Sequence, residues 1–181
     1  WRGVAGDVAR YIKACHVCQQ QKADTQKQAG LLAPLPIPPA KWHTISMDFI
    51  TGLPSSHNHD SILTVTCKFT KYVVLIPCST TDGAVRTAKR LWERAGSYFG
   101  LPKVIVSDRD PRFTSQVWRG LFKLWGTQLK FGSAYHPQTD GQSEATNRVV
   151  ECALRCLLAD KKHSWSDHLP SVQFGINKAW Q

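Results

Sequence analysis

Apolar and polar residues change their spacing several times along this chain, and each change marks an element. From Thr44, Ile45, Met47 and Phe49, with Leu53 beyond them, are spaced as in a strand, which puts Asp48 on the opposite face. Two β-rich runs follow, Ser61 to Phe69 and Tyr72 to Cys78, and the Thr70-Lys71 connection is short enough for an antiparallel hairpin. A helix is predicted from Asp82 to Tyr98, with Thr81 as N-cap and Gly100 followed by Pro102 as the stop. Lys103 to Ser107 is a short apolar strand ending at Asp108. Thr114 can cap a second helix that turns Val117, Leu121, Phe122 and Leu124 to the core and ends at Gly126. Gln128 to Phe131 makes another strand, turn formers fill Ser133 to Gly141, and Asp140 can cap a long helix to about Asp160. A last helix begins after Ser164.

This order of elements describes an α/β protein, a mixed sheet covered by helices. Ahead of it, residues 1–29 read as a polar helical stretch carrying Cys15 and Cys18. Residues 30–42 include Pro34, Pro36, Pro38 and Pro39, which remove backbone donors and favour an extended linker. At 181 residues and 42% hydrophobic, the chain has material for one well-buried domain, residues 43–181, plus a small appendage. Its start at Trp1 and the abrupt stop of the last helical pattern at Gln181 suggest a piece of a longer polypeptide, truncated within the core at its C-terminal side. No apolar run approaches the ~18 residues of a membrane helix, and no basic-then-apolar leader opens the chain, so a soluble intracellular protein with no membrane partner is expected. Six cysteines in a chain with this much core are read as reduced thiols. Lys and Arg number 23 against 13 acids, a formal charge of +10 that favours a polyanionic partner, although many basic proteins bind no nucleic acid.

Three acids stand where packing does not require them: Asp48 inside a strand, Asp108 at a strand end, and Glu144 in the first turn of a helix. Strand interiors disfavour Asp, whose short side chain competes for backbone hydrogen bonds and loses hydration when covered. A bound metal ion would offset that cost. Singly, each acid has a plain explanation as a solvent-facing strand residue, a turn opener or a complement to a helix dipole. Asp110 and Asp140 are read as structural, the latter as a helix cap.

Taken together, the acids sit in Met47-Asp48-Phe49-Ile50, Ser107-Asp108-Arg109-Asp110-Pro111 and His136-Pro137-Gln138-Thr139-Asp140-Gly141-Gln142-Ser143-Glu144, with 35 residues between Asp108 and Glu144. This arrangement closely resembles the integrases of gypsy-class LTR retrotransposons, from Cys15 through Asn177. The resemblance implies a ribonuclease H-like fold, a five-stranded mixed sheet flanked by helices with the first and fourth strands side by side. It also implies an Asp48, Asp108, Glu144 triad that is both catalytic and metal-binding, working with two Mg²⁺ ions for which Mn²⁺ can substitute. The implied activity is 3′-end processing and strand transfer of element DNA into target DNA by a homo-oligomer acting in the nucleus. One departure is Cys67-Lys68, where relatives commonly carry Asp-Arg. His136, Asn147 and Arg148 are candidate DNA contacts, and His136 has the alternative role of orienting its loop.

Cys15-His16-Val17-Cys18 matches the second half of the family's zinc-binding His-His-Cys-Cys domain, whose histidines would lie before Trp1. Zinc wants four ligands, so Cys15 and Cys18 make an incomplete site, and Zn²⁺ is expected only in the intact N-terminal domain. Cys152 and Cys156 share a helix face and are read as core, like Cys67 and Cys78, and Trp92, Trp118, Trp125 and Trp165 as core or subunit interface. Lys and Arg at positions 86, 89, 90, 94, 119 and 123 are read as solvated helix faces first. Two alternatives stand beside the integrase. A decayed or domesticated copy that binds DNA or chromatin without catalysis would be expected to have lost an acid. A ribonuclease H-like nuclease shares the metal chemistry but does not call for the HPQTDGQ stretch.

Overall fold

A computed structural model describes residues 1–21, 37–131, 141–157 and 164–179. Two helices lead in: α1 (Val4–Ala14), which buries no residue, and α2 (His16–Gln21). The sheet follows, and its strands alternate faces. In β1 (Thr44–Ile50), β2 (Ser61–Cys67) and β3 (Val73–Cys78), Ile45, Met47, Leu63, Val65, Val74 and Ile76 enter one core, while Ile50, Ile62, Val73 and Leu75 enter a second on the other side. β2 is buried along its whole length because both faces are covered. The hairpin expected at Thr70-Lys71 is wider: the strands end at Cys67 and Val73, and Lys71 takes a positive φ of 63° in the connection. Phe69 and Tyr72 therefore fall outside the strands.

The next helix begins later than expected and is interrupted. α3 (Ala84–Leu91) has Gly83, not Thr81, at its N-cap position, because the turn before it is closed from inside by Asp82. That buried carboxylate accepts from the Ser79 amide at 3.0 Å and pairs with Arg90 at 2.8 Å and Arg86 at 3.3 Å. Arg90 is thus an internal partner rather than a solvated charge. A π-helical turn, Trp92–Gly96, then leads into α4 (Ser97–Phe99). A Cβ at Gly96 would lie 2.7 Å from the Trp92 ring, so any side chain there would require that ring to shift. Gly100, at φ 78°, ends the run as expected.

β4 (Val104–Ser107) is followed by α5 (Pro111–Thr114) and α6 (Gln116–Leu124). Asp110 caps α5, and Ser115, not Thr114, caps α6 by accepting from the Trp118 amide at 3.2 Å. That start sets the phase of α6: Trp118 and Phe122 are buried with Leu121 and Trp125 against them, whereas Val117 and Leu124, expected inside, are exposed. β5 (Gln128–Phe131), α7 (Gly141–Leu157) and α8 (Trp165–Lys178) complete the order. The expected Asp140 cap and the extension to Asp160 lie outside the described residues.

The five strands run β3-β2-β1-β4-β5, with β1 antiparallel to β2 and parallel to β4. α3, α5 and α6 cover the first core, and α7 and α8 the second through Val150, Leu154, Trp165, Leu169, Val172 and Ile176. α8 also closes the outer edge of β3. The Asn177 amide accepts from the Val73 N–H and donates to its carbonyl, both at 2.8 Å, and Gln173 accepts from the Leu75 N–H at 2.8 Å. Side-chain amides thus satisfy an edge that could otherwise recruit a foreign strand.

Candidate active site

Asp48 belongs to the face of β1 that carries Ser46 and Ile50, opposite Ile45 and Met47, so it turns toward α7. The parallel β1–β4 ladder pairs Met47 with Ser107, and the next residues are Asp48 and Asp108. The two acids therefore leave neighbouring strands side by side. Asp48 is half-buried and Asp108 exposed. The backbone N–H of Phe49 donates to Asp48 Oδ1 at 2.8 Å, and Asn147 Nδ2 donates to Oδ2 at 2.7 Å. Both of these donors are neutral, and together they fix the orientation of the carboxylate. Glu144 is the fourth residue of α7, one turn before Asn147, a spacing that puts the two positions on one side of the helix. Its side chain lies outside the described residues, as does all of His136.

The loop after β4 is held by Asp110, which is structural as expected. Its carboxylate accepts from the Arg112 backbone at 2.9 Å and from Nε and Nη2 at 2.8 and 2.7 Å. Burial opposes its charge, but the hydrogen bonds and charge of Arg112 outweigh this and hold its pKa below the usual aspartate range. The Asp110 N–H in turn donates to Asp108 Oδ1 at 3.1 Å. The Arg112 guanidinium lies 3.4 Å from the Phe49 ring centroid, tying the Asp108 loop to the residue after Asp48. Sequence reasoning missed Arg112, whose signal was a cation four residues after Asp108 within a turn. Asn147, a DNA-contact candidate, is half-buried, with the two ends of its amide bonded to Asp48 and Thr64. Arg148, the next residue, is exposed.

Residues 38–137, over half of the chain, match the family model of the integrase core domain. The chain belongs to the integrase core domain family. Among the relatives of this integrase core are the Transposon Tf2-3 and Tf2-4 polyproteins of Schizosaccharomyces pombe. Each is 39% identical over 179 residues, which is 99% of this chain but about 13% of the polyprotein's length. In structure the integrase core is similar to a chain of the simian T-cell lymphotropic virus intasome in complex with PP2A regulatory subunit B56 gamma. The TM-score is 0.67 at 18% identity, over 97% of this chain and 61% of that one. It is also similar to the HTLV-2 integrase catalytic core domain in complex with magnesium, dimeric form, with a TM-score of 0.61 at 17% identity over 77% and 89% of the two chains. These likenesses agree with the ribonuclease H-like fold expected from the sequence.

Around this integrase core site the cysteines divide. Cys67 and Cys78 are core, and burial pushes the Cys78 thiol up to about 11. Cys152 and Cys156, expected in the core, are only half-buried, because α2 packs against this part of α7. Burial, then the neighbouring thiols of Cys152 and Cys18, push Cys156 up to about 11. Hydrogen bonds from Cys18 draw the Cys15 thiol below its ordinary value. Among the described residues, no group of three or more His, Cys, Asp or Glu is arranged to hold a metal ion. Trp118 and Trp165 are buried, while Trp92 is 45% exposed.

Proposed function

We propose that this integrase core catalyses 3′-end processing and strand transfer of the DNA of a gypsy-class LTR retrotransposon, using Asp48, Asp108 and Glu144. The observation that carries this reading is the adjacency of Asp48, within β1, and Asp108, just past the end of the parallel neighbour β4, with α7, the helix bearing Glu144, hydrogen-bonded to Asp48 through Asn147. The donor set fits Mg²⁺: hard carboxylate oxygens, with the Asp48 carboxylate oriented by the Phe49 N–H and the Asn147 amide. Asp48, Asp108 and Glu144 would hold the ions, with Mn²⁺ able to replace Mg²⁺. A bound pair of such ions supplies charge stabilisation for the phosphodiester and activation of the attacking oxygen. Phe49 and Asn147 hold the Asp48 carboxylate in one orientation, and the Asp110–Arg112 pair holds the loop that presents Asp108.

The relatives' names, transposon polyproteins and an intasome, support a role on element DNA. Residues 1–29 are read as the end of a zinc-binding domain, complete only with ligands before Trp1, residues 30–42 as a linker and 43–181 as the core. The working form is a homo-oligomer on element-end and target DNA in the nucleus, with His136, Asn147 and Arg148 as the DNA-contact candidates. A chain of formal charge +10 should bind DNA largely without regard to sequence, with log K falling by about 0.9 per phosphate contact for each tenfold rise in salt. A salt titration of duplex binding checks this, and a flat response contradicts it.

The catalytic reading is tested with a pre-cut DNA end and Mg²⁺ or Mn²⁺. Joining of that end to a second duplex is expected. Metal-dependent hydrolysis of an RNA–DNA hybrid without joining would identify a nuclease instead, and DNA binding with neither reaction would identify a binding module.

A further inference from the structure

Thr64 is a polar residue in the middle of a strand that is otherwise wholly buried, and it is only 2% exposed. It stands directly opposite Asp48 in the antiparallel β1–β2 ladder, on the same face of the sheet. Its hydroxyl lies 2.8 Å from Asn147 Oδ1 and 3.1 Å from the Asp48 carbonyl oxygen. One hydroxyl has one proton, and the shorter contact is to the Asn147 amide.

That contact decides which way the amide faces. Asn147 can present either its oxygen or its NH₂ to Asp48. If the amide were reversed, two acceptors, Asn147 Oδ1 and Asp48 Oδ2, would meet at the 2.7 Å separation now bridged by a donor. A hydroxyl that donates to Oδ1 holds the NH₂ toward the carboxylate. We propose that Thr64 is a positioning residue, acting through Asn147 to fix the orientation in which Asp48 receives a divalent cation and to dock α7 beside it. The inference rests on the reading of Asp48 as a metal-holding carboxylate. An apolar residue of the same shape would pack equally well at position 64, so packing alone does not require a hydroxyl there. The contact also joins β2, β1 and α7 at one point, so the helix carrying Glu144 is referenced to the strand carrying Asp48.

Calorimetric titration of the chain with Mn²⁺, which needs no turnover, tests this with Thr64→Val, Thr64→Ser and Asp48→Asn beside wild type. Thr64→Val keeps the β-branched shape and removes the donor. It is expected to weaken Mn²⁺ binding about tenfold, the usual scale for groups that support a metal ligand, while Thr64→Ser restores wild-type affinity. Wild-type affinity in Thr64→Val together with loss of binding in Asp48→Asn overturns the role of Thr64 alone. Undiminished binding in Asp48→Asn overturns the metal site and this inference with it. Should Thr64→Val fail to fold, the metal-free wild type decides by NMR. Two separate, slowly exchanging Asn147 side-chain N–H signals are expected, and signals exchanging as in a solvated asparagine overturn the proposal.

Discussion

Asp48→Asn, Asp108→Asn and Glu144→Gln are each expected to abolish strand transfer, a loss on the order of 10³-fold or more, while the fold and most of the DNA affinity survive. Each change preserves size and removes one negative charge. Ions shared among three carboxylates are misplaced or lost when any one is neutralised, so double variants should be little worse than single ones. Mn²⁺ should restore none of the three to wild-type rate. Ca²⁺ should support DNA binding with little turnover, because its larger radius and looser coordination hold the attacking and leaving oxygens poorly in line. Joining of a pre-cut end, measured for each folded variant beside wild type, is the check. Substantial strand transfer by Glu144→Gln would remove Glu144 from the triad and leave the two aspartates to be explained without it.

The largest effect on stability is expected at Trp165. This residue opens α8, is 1% exposed, packs in the core beneath α7 and α8, and donates its indole N–H to the Pro54 carbonyl at 2.6 Å. Trp165→Ala removes that volume and the hydrogen bond to Pro54, a cost of about 3–5 kcal/mol. Set against a total of roughly 5–15 kcal/mol, the loss is a large part of the stability of the domain. The melting temperature should fall by roughly 6–20 °C, at ~2–4 °C per kcal/mol for a chain of this size. Leu124→Ala is the control: Leu124 is 86% exposed, and its truncation should change stability by no more than ~0.5 kcal/mol. A Trp165→Ala protein melting within 2 °C of wild type would contradict the packing described for this core.

Period and spacing made the sheet readable before the structure. The alternation Ile45, Met47, Phe49 placed Asp48 on the far face of β1, and the short run ending at Ser107 placed Asp108 at a strand end. Their adjacency was not a matter of periodicity. It came from the resemblance, because parallel pairing of β1 with β4 joins residues about 60 positions apart, which no local pattern encodes. The helix starts were misread where a polar residue had two possible roles. Asp82, at the expected start of the first helix, turns inward to Arg90 and Arg86; Thr114 has the chemistry of a cap, yet Ser115, one residue on, is the cap and sets a different buried face on α6. For Asn147, spacing from Glu144 gives a helix face but not what that face meets. The meeting with Asp48 and Thr64 exists only once α7 lies across β1 and β2.

The central claim is that Asp48, Asp108 and Glu144 converge on divalent metal. Anomalous diffraction from crystals of this chain soaked in Mn²⁺ tests it most directly, because it locates the ion whether or not the chain turns over DNA. Mn²⁺ density is expected within coordinating distance of Asp48 and Asp108, with the Glu144 carboxylate completing the site. Mn²⁺ bound elsewhere on the chain, with these three carboxylates unmetallated at saturating concentration, would contradict it.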